Sequence, residues 1–330
     1  MHTAGTAGIL SFRPFPPAPF RRLPHAVPVP TARDRKRRAL PCRHPGQTPT
    51  WAQIESLDLI FEGAYRFGEE DAVIFDDPDG RVGTTGTGDG YAGAFALTLG
   101  GDGWHGLFRA GHFSTSDADS GSDVTPFPPF GDTTTVETLD HSLRGSTIDL
   151  LAGTNVMLGD STLSLLGGLR YARIEHGLHG MTDNTGGLFD SVIIADDSVT
   201  FTGIGPRAEA ALTTPLTDGV ALVVGAGGTF FRGQAEAIRR FGFSLGGDPF
   251  SFGESRYDEH RTVYQLDGLI GVEVDLAPLL GDTGAVLAAG YRIDAWWNTY
   301  DLRAFDPLAP ETEDRLWQHG PFVRLTVPLL

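Results

Sequence analysis

From Ser56 onward the chain alternates apolar and polar residues with a period of two, in runs too long for an ordinary strand. In Leu57 to Phe67 one face reads Leu57, Leu59, Phe61, Gly63, Tyr65, Phe67, and the other reads Asp58, Ile60, Glu62, Ala64, Arg66. Successive side chains of an extended chain point to opposite faces, so this pattern predicts a strand with one apolar and one polar face. It recurs in Tyr91 to Leu99, Ile148 to Leu158 and Tyr264 to Val274. Ten strands follow, near residues 56–67, 91–99, 105–113, 143–158, 162–176, 198–214, 220–236, 260–276, 285–299 and 315–329.

The connections alternate in length. Gly100 to Trp104, Gly159 to Ser161, Pro215 to Gly219 and Ala277 to Gly284 are short, whereas 68–90, 114–142, 177–197, 237–259 and 300–314 are long. Long alternating with short is the order of an antiparallel up-and-down barrel whose short turns share one side of a membrane. A soluble β-sandwich is the competing architecture, but its strands usually run to five or six residues. The expected fold is therefore all-β: a transmembrane up-and-down antiparallel barrel of about ten strands. Pro206 falls inside a strand, so Gly203-Ile204-Gly205-Pro206 is expected to form a bulge. Tyr65, Phe67, Tyr171, Phe230, Phe231, Trp297, Tyr300 and Trp317 are expected in an interfacial girdle near the long connections.

The chain has no run of eighteen apolar residues, so a membrane-spanning helix is not expected. Charge divides it in two. Residues 1–50 hold nine of the 25 Lys and Arg and one acid, for a balance of +8, and the remainder carries −25. Residues 1–52, rich in Pro and Arg, are read as a disordered segment outside the mature protein, and 53–330 as the barrel. The acidic body speaks against nucleic acid as a partner, and one cysteine, Cys42, excludes a disulfide framework.

Three stretches carry a family resemblance. Leu163 to Glu175, with Gly167-Gly168-Leu169-Arg170-Tyr171-Ala172, is the first. Phe201-Thr202-Gly203-Ile204-Gly205-Pro206-Arg207 is the second, and Gly320-Pro321-Phe322-Val323-Arg324-Leu325 the third. Together they resemble the pore-forming outer-membrane proteins that include the Legionella major outer-membrane protein. The resemblance implies a porin-like barrel in the bacterial outer membrane, with no cofactor and no catalytic residues to carry over. The chain departs from the usual pattern at its end, Leu329-Leu330, where such barrels present an aromatic residue.

With parity fixed by the apolar face, Arg66, Arg109, Arg144, Arg170, Arg207, Arg232, Arg292 and Arg324 are expected to point inward. They would share the lumen with Asp58, Glu62, Asp149, Glu209, Asp267, Glu273, Asp275 and Asp294. A lipid-facing Arg near the midplane costs about 2–4 kcal/mol, which favours the interior. Arg109, Arg170, Arg207, Arg292, Arg324, Glu62, Asp149, Asp267, Glu273 and Asp294 are thus the candidate lumen-lining charges, either as an ion-selecting constriction or as pairs that fill a small barrel. Three functions remain open. A narrow pore for ions or small solutes is one, and a structural or adhesive barrel with a closed lumen is another. The third is a protease-like barrel using Asp196-Asp197 and Asp258-Glu259-His260. Asp117 to Asp123 is also weighed as a calcium loop, although the spacing lacks the closing acid. Expected partners are outer-membrane lipid, the barrel-assembly machinery and small ions or solutes; no metal and no cofactor is expected.

Overall fold

The computed structural model describes residues 55–70, 73–76, 82–84, 88–101, 103–126, 132–186, 190–246, 251–281, 283–299 and 315–330. They all lie in one compact unit, Thr50–Leu330. The expectations for residues 1–52, and for Tyr300, fall outside the described residues.

Among the described residues twelve strands occur in chain order: β1 (Ser56–Glu70), β2 (Val73–Asp76), β3 (Val82–Thr84), β4 (Gly88–Gly101), β5 (Trp104–Pro126) and β6 (Asp132–Leu158). Then come β7 (Ser161–Gly186), β8 (Ser191–Thr217), β9 (Val220–Leu245), β10 (Ser251–Asp275), β11 (Val286–Trp297) and β12 (Arg315–Pro328). A four-residue helix, α1 (Ala277–Leu280), sits in one short connection. Among the described residues β2 and β3 pair with each other, and the other ten strands form a closed antiparallel barrel. Closure is made by β1 against β12, with Phe61 opposite Leu325.

The barrel is sheared. The row of paired residues beginning at Leu287 runs through Leu325, Phe61, Phe95, Ala110, Ile148, Tyr171, Ile204 and Arg232 to Thr262 on β10. Yet Leu287 itself faces Val274, twelve residues further along β10 toward the short turns. A row that climbs in this way requires strands tilted to the barrel axis. Residues of one level therefore lie on different rows.

The outward face is apolar over a continuous band. Phe61, Phe95, Ile148, Leu150, Leu169, Ile204, Leu266, Ile270 and Val323 are all exposed there. In water such a surface would be a liability, and in hydrocarbon it is the required one. Tyr65, Tyr91, Tyr171, Phe230, Tyr264 and Trp317 are exposed at the long-hairpin end of this band, as an interfacial girdle requires. The barrel strands β6 to β10 have 25–27 residues. Crossing a bilayer takes about 9–11. What the sequence marks as long loops is therefore largely paired hairpin. Asp117 to Asp123 belongs to β5 and is extended strand, not the curled loop of a calcium site.

Three expectations need correction. Arg144 and Arg232 are exposed on the outward face, because Leu143 and Phe231 take the buried parity beside them. Phe231 is accordingly interior, and only Phe230 faces out. No bulge forms at Gly203 to Pro206: Ile204 opposite Arg232 and Arg207 opposite Thr229 keep one register, and the shift lies at Pro215/Thr217 instead. The chain solves the proline problem differently. At Gly205-Pro206 the rungs to β9 are missing while the register continues, and at Gly320-Pro321 the rungs to β1 are missing in the same way. In both steps the glycine lets the neighbouring strand come close. A Cβ at Gly205 would lie 1.8 Å from the Phe230 carbonyl oxygen, and one at Gly320 would lie 2.0 Å from that of Tyr65. Proline loses a donor, and the glycine before it keeps the ladder from splaying.

Orientation is testable with cysteines in a Cys42→Ser background. Ser120 lies on the long β5–β6 hairpin and Asp218 in the short turn between β8 and β9. A membrane-impermeant maleimide applied to intact cells is expected to label Ser120→Cys and to leave Asp218→Cys unlabelled.

The charged lumen as candidate functional site

The inward face divides into layers. At the level of the girdle the lumen is filled by apolar side chains: Phe113, Leu143, Ile174, Phe201, Phe231, Val263, Trp296 and Leu316 form one buried cluster. Phe231 stacks on Trp296 with ring centroids 5.6 Å apart and an interplanar angle of 15°, and Phe201 meets the edge of Phe231 at 6.2 Å. Trp296 escaped the sequence reading because only its neighbour Trp297 fits a girdle. The adjacent pair must point to opposite sides, and the buried Asp294 fixes which one goes in.

Next to this apolar layer, toward the short turns, lies a layer of ion pairs. Asp149 is fully buried at its centre. It accepts from Arg109 Nε at 2.8 Å and from Arg170 Nε and Nη2 at 2.5 and 2.6 Å, and Arg207 Nε lies 3.9 Å away. Arg207 donates to both oxygens of Asp267 at 2.6 and 3.0 Å and to Glu209 at 3.0 Å. Arg109 also donates to Glu209 at 2.7 Å, across strands one hundred residues apart in sequence. On the other side Glu62 accepts from Arg292 at 2.9 Å and from Arg324 at 2.7 and 2.9 Å. Arg66 Nη1 approaches Asp294 at 2.7 Å.

The geometry thus brings nine of the ten candidate charges into one layer, joined by Arg66 and Glu209. Glu273 stays apart. It faces Ala221 and Ala288 near the short turns and forms no ion pair among the described residues. Backbone proximity makes room for the layer. A Cβ on Gly227 would lie 2.6 Å from Arg207 Nη2 and 3.0 Å from Asp267 Oδ2. Below the layer Ala96 and Leu107 pack with Leu151, and Ala96, Leu107 and Leu166 line a cavity of about 220 Å³ reaching up to Arg109 and Arg292.

Outside the apolar band the hairpins carry their own charges. Glu254 accepts hydrogen bonds from Arg256 at 2.8 Å and Arg240 at 3.0 Å, which hold its carboxyl below the usual range. Asp196 pairs with His179, while Asp197 pairs with Arg239 at 2.8 Å. Neighbours on a strand take opposite faces, so Asp196 and Asp197 do not form a shared-site carboxylate pair.

An apolar outward band, an aromatic girdle and a charged inner layer within one closed sheet define a transmembrane β-barrel of the bacterial outer membrane. Residues 111–328 match the family described as the Legionella pneumophila major outer membrane protein precursor, and the chain belongs to that family. No curated protein matches the chain. Among solved structures, it is similar to a major outer membrane protein from Thermus thermophilus, with 12% identity, 83% of this chain and 100% of that chain covered, and a TM-score of 0.38. It is also similar to the outer membrane protease OmpT from Escherichia coli, with 10% identity, 84% and 97% coverage, and a TM-score of 0.37. OccK11 (OpdR) of Pseudomonas aeruginosa aligns at 12% identity over 83% and 96%, with a TM-score of 0.18.

The crowding at Gly227 gives a stability test. Gly227→Ala is expected to lower the urea stability of the folded barrel by about 1–3 kcal/mol, the usual cost of overpacking. Gly63→Ala, where an added Cβ meets nothing within 4 Å, is expected to be neutral in the same titration.

Proposed function

We propose that the protein is a narrow pore for small ions, shut in the conformation described here, with the Arg–carboxylate layer as its constriction. The observation that carries this reading is the sharing of partners. Asp149 lies within 4 Å of three guanidinium groups, and Asp267 lies 3.8 Å from Arg170 and 3.9 Å from Arg292 as well as on Arg207. A layer built this way can exchange partners without leaving a bare charge in a low-dielectric interior, where an unpaired ion is costly. Ten strands enclose little more room than side chains fill, so passage is limited to ions and the smallest solutes. Transport is passive in this reading, without a catalytic step, and the barrel takes its place in lipid through the barrel-assembly machinery.

A second reading is favoured by the apolar layer. The stacked Phe231 and Trp296, 0% and 1% exposed, stand in the path of any ion. If that layer never parts, the barrel is a closed anchor whose hairpins act outside. Planar-bilayer recording separates the two. The pore reading predicts small-conductance events from the native protein. In Asp149→Asn, events several times more frequent are expected, with the reversal potential under a salt gradient shifted toward anions. Glu254→Gln, on a hairpin, should leave both unchanged. Silence from well-folded native protein and from Asp149→Asn alike would establish the closed anchor.

A further inference from the structure

The ionic layer is not balanced. Six arginines take part in its pairs, Arg66, Arg109, Arg170, Arg207, Arg292 and Arg324, against five carboxylates, Glu62, Asp149, Glu209, Asp267 and Asp294. Between the ionic and apolar layers lies a cavity of about 50 Å³, whose lining includes four arginines, Arg66, Arg109, Arg170 and Arg292, and two carboxylates, Glu62 and Asp294. The larger cavity on the short-turn side is lined evenly, by three arginines and three carboxylates.

The small cavity also gathers donors that have no acceptor. Arg66 Nε, Trp296 Nε1 and Gln318 Nε2 are buried without a hydrogen-bond partner, on side chains 5%, 1% and 1% exposed that all line this cavity. An indole N–H and a guanidinium N–H can only donate, and an amide NH₂ has no other use. The two carboxylates nearby are already engaged, Asp294 by Arg66 and Arg292, and Glu62 by Arg292 and Arg324.

We propose that this cavity is a binding site for a small monovalent anion of halide type, held by Arg66, Trp296 and Gln318. Such an ion accepts from the buried donors and offsets the local excess of arginine over carboxylate in the cavity lining. A water molecule can accept from two at most and leaves the charge uncompensated. A cavity of about 50 Å³ has room for a compact ion. The site is internal to the fold and stands whether or not the barrel conducts.

Crystals of the full-length protein grown with bromide in place of chloride test this directly. An anomalous difference peak between Trp296 Nε1, Gln318 Nε2 and Arg66 Nε is expected, and a water-like peak without anomalous signal overturns the proposal. Urea unfolding gives the second measurement. The midpoint is expected to be higher in chloride than in gluconate at equal ionic strength, and Gln318→Met should shrink that difference. A bromide peak with no chloride dependence of the native midpoint would mean binding at crystal concentration only, and would also overturn a native site. If Gln318→Met does not fold, the peak and the native midpoint decide between them.

Discussion

Hydrocarbon offers no partner to a backbone N–H, so every strand that crosses it must be paired on both edges. The rest of this structure follows from that demand. It forces β1 to find β12, more than 250 residues away in sequence, with Glu62 opposite Arg324 at the seam. It also explains the treatment of Pro206 and Pro321. Each lies outward in a closed sheet that has no free edge, and each omits rungs on one side without disturbing register. A register slip would turn every lipid-facing side chain inward.

Closure at ten strands then sets what the interior can hold. The lumen is narrow enough for arginines on three different strands to crowd around one carboxylate, as Arg109, Arg170 and Arg207 do around Asp149. Small residues on the inward face supply the remaining room, and Gly227 beside Arg207 and Asp267 is one such place in the layer. Apolar and ionic layers do not mix. Phe231, Trp296 and Phe201 gather at the girdle, and the charges gather beyond them.

Strand number, order and closure were legible in the sequence because the membrane imposes an apolar residue at every second position. The signal fades where that pressure ends. Along β5 to β10 the outward row Ala118, Asp140, His179, Asp196, Arg240, Glu254 is paired strand in a polar setting, and it reads as loop. Parity was lost at Phe230-Phe231-Arg232 for a related reason: two adjacent aromatics suit either face, and only packing against Trp296 decides between them. The candidate charges were visible as residue types on the inward parity. Their partners were not, since pairs such as Arg109 with Glu209 or Arg292 with Glu62 depend on barrel shear, which no local pattern encodes.

The lumen charges form a desolvated, mutually dependent layer and not a set of groups lining a water-filled channel. A double-mutant cycle on Arg207 and Asp267, measured by urea unfolding in lipid vesicles, tests it most directly. For a buried pair, Arg207→Met or Asp267→Leu alone should cost about 3–5 kcal/mol, and the double variant should recover much of that loss. Single losses below about 1 kcal/mol that simply add in the double variant, as for solvated ion pairs, would contradict it.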